Sequence, residues 1–293
     1  MRKIQNFFKE SIFEMIGTAI LMLFGISGCA CSVLTHSSSN FPCAIAYGFG
    51  LILAAIFAGP VSGAHINPAV SLSFSVIGKL KWNKLFHYII AQYIGSFIGS
   101  LLAWTIYHES IEAFDKIVNN ATSPSLQTAS IFITLPSPYI SLVPAIFDQI
   151  LSTGLLVFGV LFVSDQIHSP SLKLLQALIN GSLLMALIFG FGYNCGAILN
   201  PARDLAPRIV LWLVGYDHLV FEPLNYNFWW AVGIIAPHIG AILGALLYHF
   251  LAQMRDSYVD DQSINQSDAL DHTQPRANQI HLQHNKFNME NRI

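Results

Sequence analysis

Long apolar runs alternate with short polar connections along most of the chain. Six of them, at 12–33, 42–59, 85–107, 142–163, 172–191 and 228–251, are near the ~20 residues a helix needs to cross a hydrocarbon core about 30 Å thick. Two more, 68–78 and 201–214, are too short to cross and read as re-entrant or buried segments. The same three residues open both: Asn67-Pro68-Ala69 and Asn200-Pro201-Ala202. Asparagine is a good helix N-cap. Proline suits the first helical position because the N–H it lacks would have no partner there. The pattern predicts an all-α membrane protein of six spanning helices and two capped half-helices.

The halves of the chain repeat. Glu14 stands 53 positions before Asn67, and Asp148 stands 52 before Asn200. Thr18 and Thr153 follow those acids by about one helical turn. A unit of three crossings must return upside down when repeated, which gives an inverted-topology architecture with the two short segments entering from opposite faces. The expected organisation is an N-terminal segment 1–11, a channel domain 12–251 with repeats at about 12–107 and 142–251, and a tail 252–293. Glycines at three-to-four spacing, among them Gly95, Gly99, Gly240 and Gly244, fit close helix packing.

Composition narrows the class. The chain is 54% hydrophobic and 10% charged, against roughly 25% charged in soluble domains, so the lipid bilayer is its expected solvent. A net charge of −2 gives no reason to expect a nucleic-acid partner. Cys29, Cys31, Cys43 and Cys195 show no metal-ligand or CxxC spacing and read as small apolar packing residues. No cleavable signal peptide stands out. Lysines and arginines at 2, 3, 9, 79, 81, 84, 173 and beyond 251 share one side, which places both termini in the cytoplasm. The sequon Asn120-Ala121-Thr122 then lies outside, where a glycan could be added, while those at Asn180 and Asn265 fall in a helix and in the tail. The connection 109–141 holds Pro124, Pro136 and Pro138 and is expected to be irregular. The polar tail is expected to be disordered, and its serines 257, 263 and 267 are open to phosphorylation or simply solvated.

Two half-helix N-termini, each with unpaired N–H groups and about half a positive charge, would meet at the midplane beside Asn67 and Asn200. Such a patch offers donors to the oxygen of a water or alcohol, repels a cation and breaks a proton-conducting water chain. Arg203 inside a membrane segment is costly; a pair with Asp204 or an anchor on a carbonyl would hold it, and either is compatible with a functional role. Glu14 and Asp148 are expected to accept hydrogen bonds from the non-helical loops. His65 is a pore-lining hydrogen-bonding group or a pH-sensitive gate.

The stretches Ser62 to Val70 and Asn194 to Leu205 resemble the two signature loops of the major intrinsic protein (aquaporin) family. Asp204 after Arg203, Arg208, Pro237, Phe147-Asp148-Gln149 and the long external loop resemble its aquaglyceroporin branch. The resemblance implies a homotetramer with one pore per subunit, in the plasma membrane. It also implies an outer constriction at Tyr47, Ile188, Ala197 and Arg203. The sequence departs from the branch where Ile188 replaces a glycine or alanine, Ala197 replaces an aromatic, Tyr47 replaces Phe or Trp, and His238 follows Pro237.

Three functions fit these residues: a passive channel for water and small neutral solutes such as glycerol, an inverted-repeat secondary transporter, and a closed structural protein. The paired loops favour the channel. No covalent chemistry and no cofactor or metal is called for.

Overall fold

The computed structural model describes residues 2–37, 39–121, 123–167, 172–223, 229–259 and 262, with side chains from Phe8 onward. Helices α1 (Arg2–Leu34), α2 (Phe41–Ser62) and α4 (Trp82–Ile117) enclose the half-helix α3 (Pro68–Val76) in the first repeat. In the second, α6 (Leu142–Gln166), α7 (Lys173–Cys195) and α9 (Ala231–Val259, its first turn π-helical) accompany the half-helix α8 (Pro201–Leu213). A four-residue helix, α5 (Leu126–Ala129), lies between the repeats. The described residues contain six helices long and apolar enough to span a membrane, and no strand. The protein is an integral, multi-pass membrane protein.

Lipid explains the surface. Phe86, Ile90, Ile94, Leu101 and Leu102 leave one face of α4 apolar and exposed, and Phe147, Leu151 and Leu155 do the same on α6. In water such bands would drive aggregation; against acyl chains they cost nothing. Glycines set the crossings inside. A Cβ on Gly95 would overlap the Met15 carbonyl of α1, and one on Gly240 would overlap the Ile150 carbonyl of α6. The α1–α4 and α6–α9 contacts are therefore built alike, as the repeat requires, with backbones close enough that only glycine fits.

Two expectations change. α4 runs to Ile117, ten residues past the predicted end, and the connection after it is anchored. Asp115 accepts hydrogen bonds from Asn119 Nδ2 (2.9 Å), Ser125 Oγ (2.6 Å) and Thr128 Oγ1 (2.8 Å), folding the chain back so that Ile131, Phe132 and Ile133 are buried. Cys29 and Cys43 are not mere packing residues: antiparallel α1 and α2 bring them together as a disulfide, while Cys31 and Cys195 are free. Helix α1 begins at Arg2, within the N-terminal segment 1–11.

Residues 248–293 cluster as a separate unit, helical to Val259, in which Arg255 pairs with Asp256 at 2.9 Å. Thr122, Ser263, Asn265, Ser267 and the rest of the tail from 263 onward lie outside the described residues, and so does the expectation of disorder there.

Candidate functional site

The site is built from the two tripeptides. Asn67 and Asn200 both have extended backbones (φ −157° and −143°) and cap their half-helices. Asn67 Oδ1 accepts from Ala69 N (2.9 Å); Asn200 Oδ1 accepts from Ala202 N (3.0 Å) and Arg203 N (3.3 Å). With the carboxamide oxygens held this way, the nitrogens are fixed too. Asn67 Nδ2 donates to Leu199 O and Asn200 Nδ2 donates to Ile66 O, each at 2.9 Å. The half-helices are thus tied tip to tip by a reciprocal pair of bonds. Each Nδ2 keeps a second N–H, and both asparagines line one cavity of about 1120 Å³.

The loops that lead into these caps have the same strained backbone. Gly63, Ala64 and Ile66 have φ of 90°, 52° and 44°; Gly196, Ala197 and Leu199 have 80°, 49° and 56°. Left-handed non-glycine residues persist only where their surroundings hold them. In the first loop the holder is Glu14, fully buried, which accepts from His65 N (2.9 Å), Ile66 N (2.6 Å), Ser62 Oγ (2.6 Å) and Gln92 Nε2 (2.8 Å). In the second, the backbone acceptor is not Asp148, as the repeat suggested, but its neighbour Gln149. Gln149 Oε1 takes Ile198 N (3.0 Å) and Leu199 N (3.4 Å), while Asp148 holds Gln149 Nε2 (3.2 Å) and Asn194 Nδ2 (2.8 Å) from behind. One helical position decides which side chain faces the loop, and comparing acids alone missed it.

Tyr47, Ile188, Ala197 and Arg203, far apart in sequence, all line the same cavity. The Arg203 guanidinium sits 4.9 Å from the centre of the Tyr47 ring and donates from Nη1 to Phe132 O at 2.9 Å. The carbonyl anchor is thus realised at a side chain that also lines the cavity. Asp204 pairs instead with Arg208, through Nε (2.9 Å) and Nη2 (3.0 Å), and accepts from Thr134 Oγ1 (2.5 Å) and Trp229 Nε1 (3.2 Å). Arg208 also donates to the carbonyls of Thr134 and Val220. Phe132 and Thr134 belong to the long connection, and nothing in their local sequence marks them: their role comes from a contact with residues about 70 positions away.

Toward the lysine-bearing mouth, His65 Nδ1 is 3.2 Å from Ser71 Oγ, and its ring packs on Phe74 and Tyr88. Lys84 meets Glu10 and Lys79 meets Asp165, at 2.7 and 2.8 Å. Asn120 is exposed just beyond α4. Cys195 is buried behind the second loop.

The family model for major intrinsic protein matches residues 1–248. The chain belongs to the major intrinsic protein family. Within it, the chain is 35% identical to Aquaporin-3 of Milnesium tardigradum over 276 residues, covering 91% of this chain and 83% of that one. It is 37% identical to human Aquaporin-9 over 247 residues (82% and 81% covered). The X-ray structure of the aquaglyceroporin from Plasmodium falciparum superposes with a TM-score of 0.71 at 28% identity, covering 83% of this chain and 95% of that one. The aquaporin-like fold of this family, six spanning helices and two half-helices in an inverted repeat, is the fold described above.

Proposed function

We propose that this major intrinsic protein conducts water and small uncharged solutes such as glycerol passively and excludes ions and protons. The observation that carries this is the reciprocal Asn67–Leu199 and Asn200–Ile66 bonding, which sets two positive helix ends and two free amide N–H groups on the wall of one cavity. A water or hydroxyl oxygen is welcomed there; a desolvated cation is not. Tyr47, Ile188, Ala197 and Arg203 form the narrow filter, with Arg203 supplying fixed donors and charge. Glu14, Asp148 and Asp204 support the loops. His65 serves as a lining hydrogen-bonding group. Asp204, four residues beyond Asn200, is engaged by Arg208, Thr134 and Trp229, so the carboxylate a coupled transporter would use there is already taken.

Stopped-flow measurements on proteoliposomes test the proposal. Water-driven shrinkage followed by glycerol re-swelling is expected; shrinkage without re-swelling would refute glycerol conduction. In the same vesicles, Arg203→Ala should admit cations while water still passes. A unit charge about 5 Å from the path, at an effective dielectric of about 20, opposes a cation by about 3 kcal/mol, worth over a hundredfold in leak. An unchanged ion leak in an intact mutant would remove Arg203 from the exclusion mechanism.

We further place the protein in the plasma membrane as a homotetramer, with both termini cytoplasmic and Asn120 outside. The channel domain is residues 12–251, with repeats at about 12–107 and 142–251; 1–11 and 252–293 are cytoplasmic. In eukaryotic expression, Asn120→Gln should abolish a glycosidase-sensitive mobility shift. A shift that survives the substitution, or none in wild type, would count against the glycan at Asn120.

A further inference from the structure

α1 and α2 pack tightly at the end of the pair away from the lysine-bearing mouth. A Cβ on Gly28 would overlap Ala46 and the Pro42 carbonyl, and one on Gly25 would overlap the Tyr47 ring. The ring thus lies in a notch that α1 provides, and the Arg203 guanidinium stands 4.9 Å from its centre. Cys29 follows Gly25 by one helical turn on α1, and Cys43 precedes Tyr47 by one turn on α2. The disulfide between them therefore joins the helices one turn from the notch. Cys31 and Cys195 are free, so this bond is the one disulfide among the chain's four cysteines. Cys43 is half-buried and lines the same cavity as Tyr47 and Arg203, which gives a small thiol a route to the bond. Glycine contacts hold two helices together but leave them free to slide or part slightly. A covalent bridge beside them does not.

Resting on the conduction proposed above, we infer that Cys29–Cys43 is a thiol-sensitive clasp of the filter. It holds α1 against α2 so that the Gly25 notch keeps the Tyr47 ring beside Arg203. Cys29 and Cys43 are positioning residues and act through Tyr47. A dithiol opens the clasp by exchange: the Cys29–Cys43 bond breaks, each cysteine gains one hydrogen, and the two S–H groups of the reagent become one S–S bond. With the bridge gone the helix ends part and the ring draws back from Arg203. The passage then widens for a polyol more than for water, which is smaller.

Full-length protein in proteoliposomes, measured before and after dithiothreitol for water and glycerol permeability, tests this; a maleimide mass tag counts the thiols released. Reduction should raise the glycerol-to-water ratio about two- to fivefold, the worth of one exposed cation–π contact, and reoxidation should reverse it. Cys29→Ser with Cys43→Ser should show the raised ratio without the reagent and no response to it. Tyr47→Ala should abolish the response, because the ring to be positioned is gone. A bridge that only stabilises would shift thermal unfolding and leave the ratio alone. Two released thiols with an unchanged ratio overturn the clasp and leave conduction standing. So does a bond the dithiol fails to open, or a response that persists in Tyr47→Ala. A wild type that passes neither water nor glycerol overturns the conduction and the clasp together.

Discussion

Asp204→Ala is expected to destabilise the protein by about 3–5 kcal/mol, the cost of leaving one member of a buried ion pair alone. Both partners are 2% exposed, so solvent cannot take the place of the lost charge. Arg208 would keep its carbonyl bonds to Thr134 and Val220 but lose the carboxylate it pairs with. Thr134 Oγ1 and Trp229 Nε1 would lose their acceptor as well. The damage should reach the pore, because Phe132, two residues before Thr134, is the carbonyl on which Arg203 rests. Thermal unfolding in detergent and vesicle ion leak, measured together, check this. Asp204→Leu with Arg208→Met removes both charges and should recover part of the stability. Equal stability of Asp204→Ala and wild type would show that the pair holds nothing.

The second large effect is expected at Glu14. Glu14→Ala strips the acceptor from two loop N–H groups, Ser62 Oγ and Gln92 Nε2 at once. Each buried donor left unsatisfied costs about 1–3 kcal/mol, and in lipid water cannot replace the acceptor. The loop at 63–66 should relax from its left-handed conformation, with loss of water permeability and a sharp fall in assembled protein. Glu14→Gln should be milder. The second repeat already holds its loop with an amide oxygen, that of Gln149, and the Oε1 of Gln92, without a partner among the described residues, can accept from the new amide. Stopped-flow water flux in the two variants separates the cases. Equal loss in both would mean that the charge, not the acceptor geometry, matters.

Much of the fold was legible because a membrane simplifies the problem. Backbone groups must be satisfied within each segment, so an apolar run of spanning length is a helix, and each of the six predicted runs holds a spanning helix among the described residues. The half-helices were equally legible from length, cap and proline. The ends of elements were not. α4 outran its apolar stretch because Asp115, a charged residue, is held by Ser125 and Thr128 rather than by solvent. Cys29 and Cys43 became partners only when α1 and α2 lay antiparallel, a relation no spacing encodes.

The sequence alone determined the repeat and the two asparagine caps, since each depends on local pattern or on position within a matched unit, while the proposed filter positions came from the family resemblance. Tertiary structure alone decided the pairings. It gave Asp204 to Arg208 rather than to Arg203, made Gln149 rather than Asp148 the second loop's acceptor, and joined Cys29 to Cys43. Such outcomes depend on which face of a helix meets which loop across the bundle. A rotation of one residue, about 100° on a helix, is enough to exchange one partner for another.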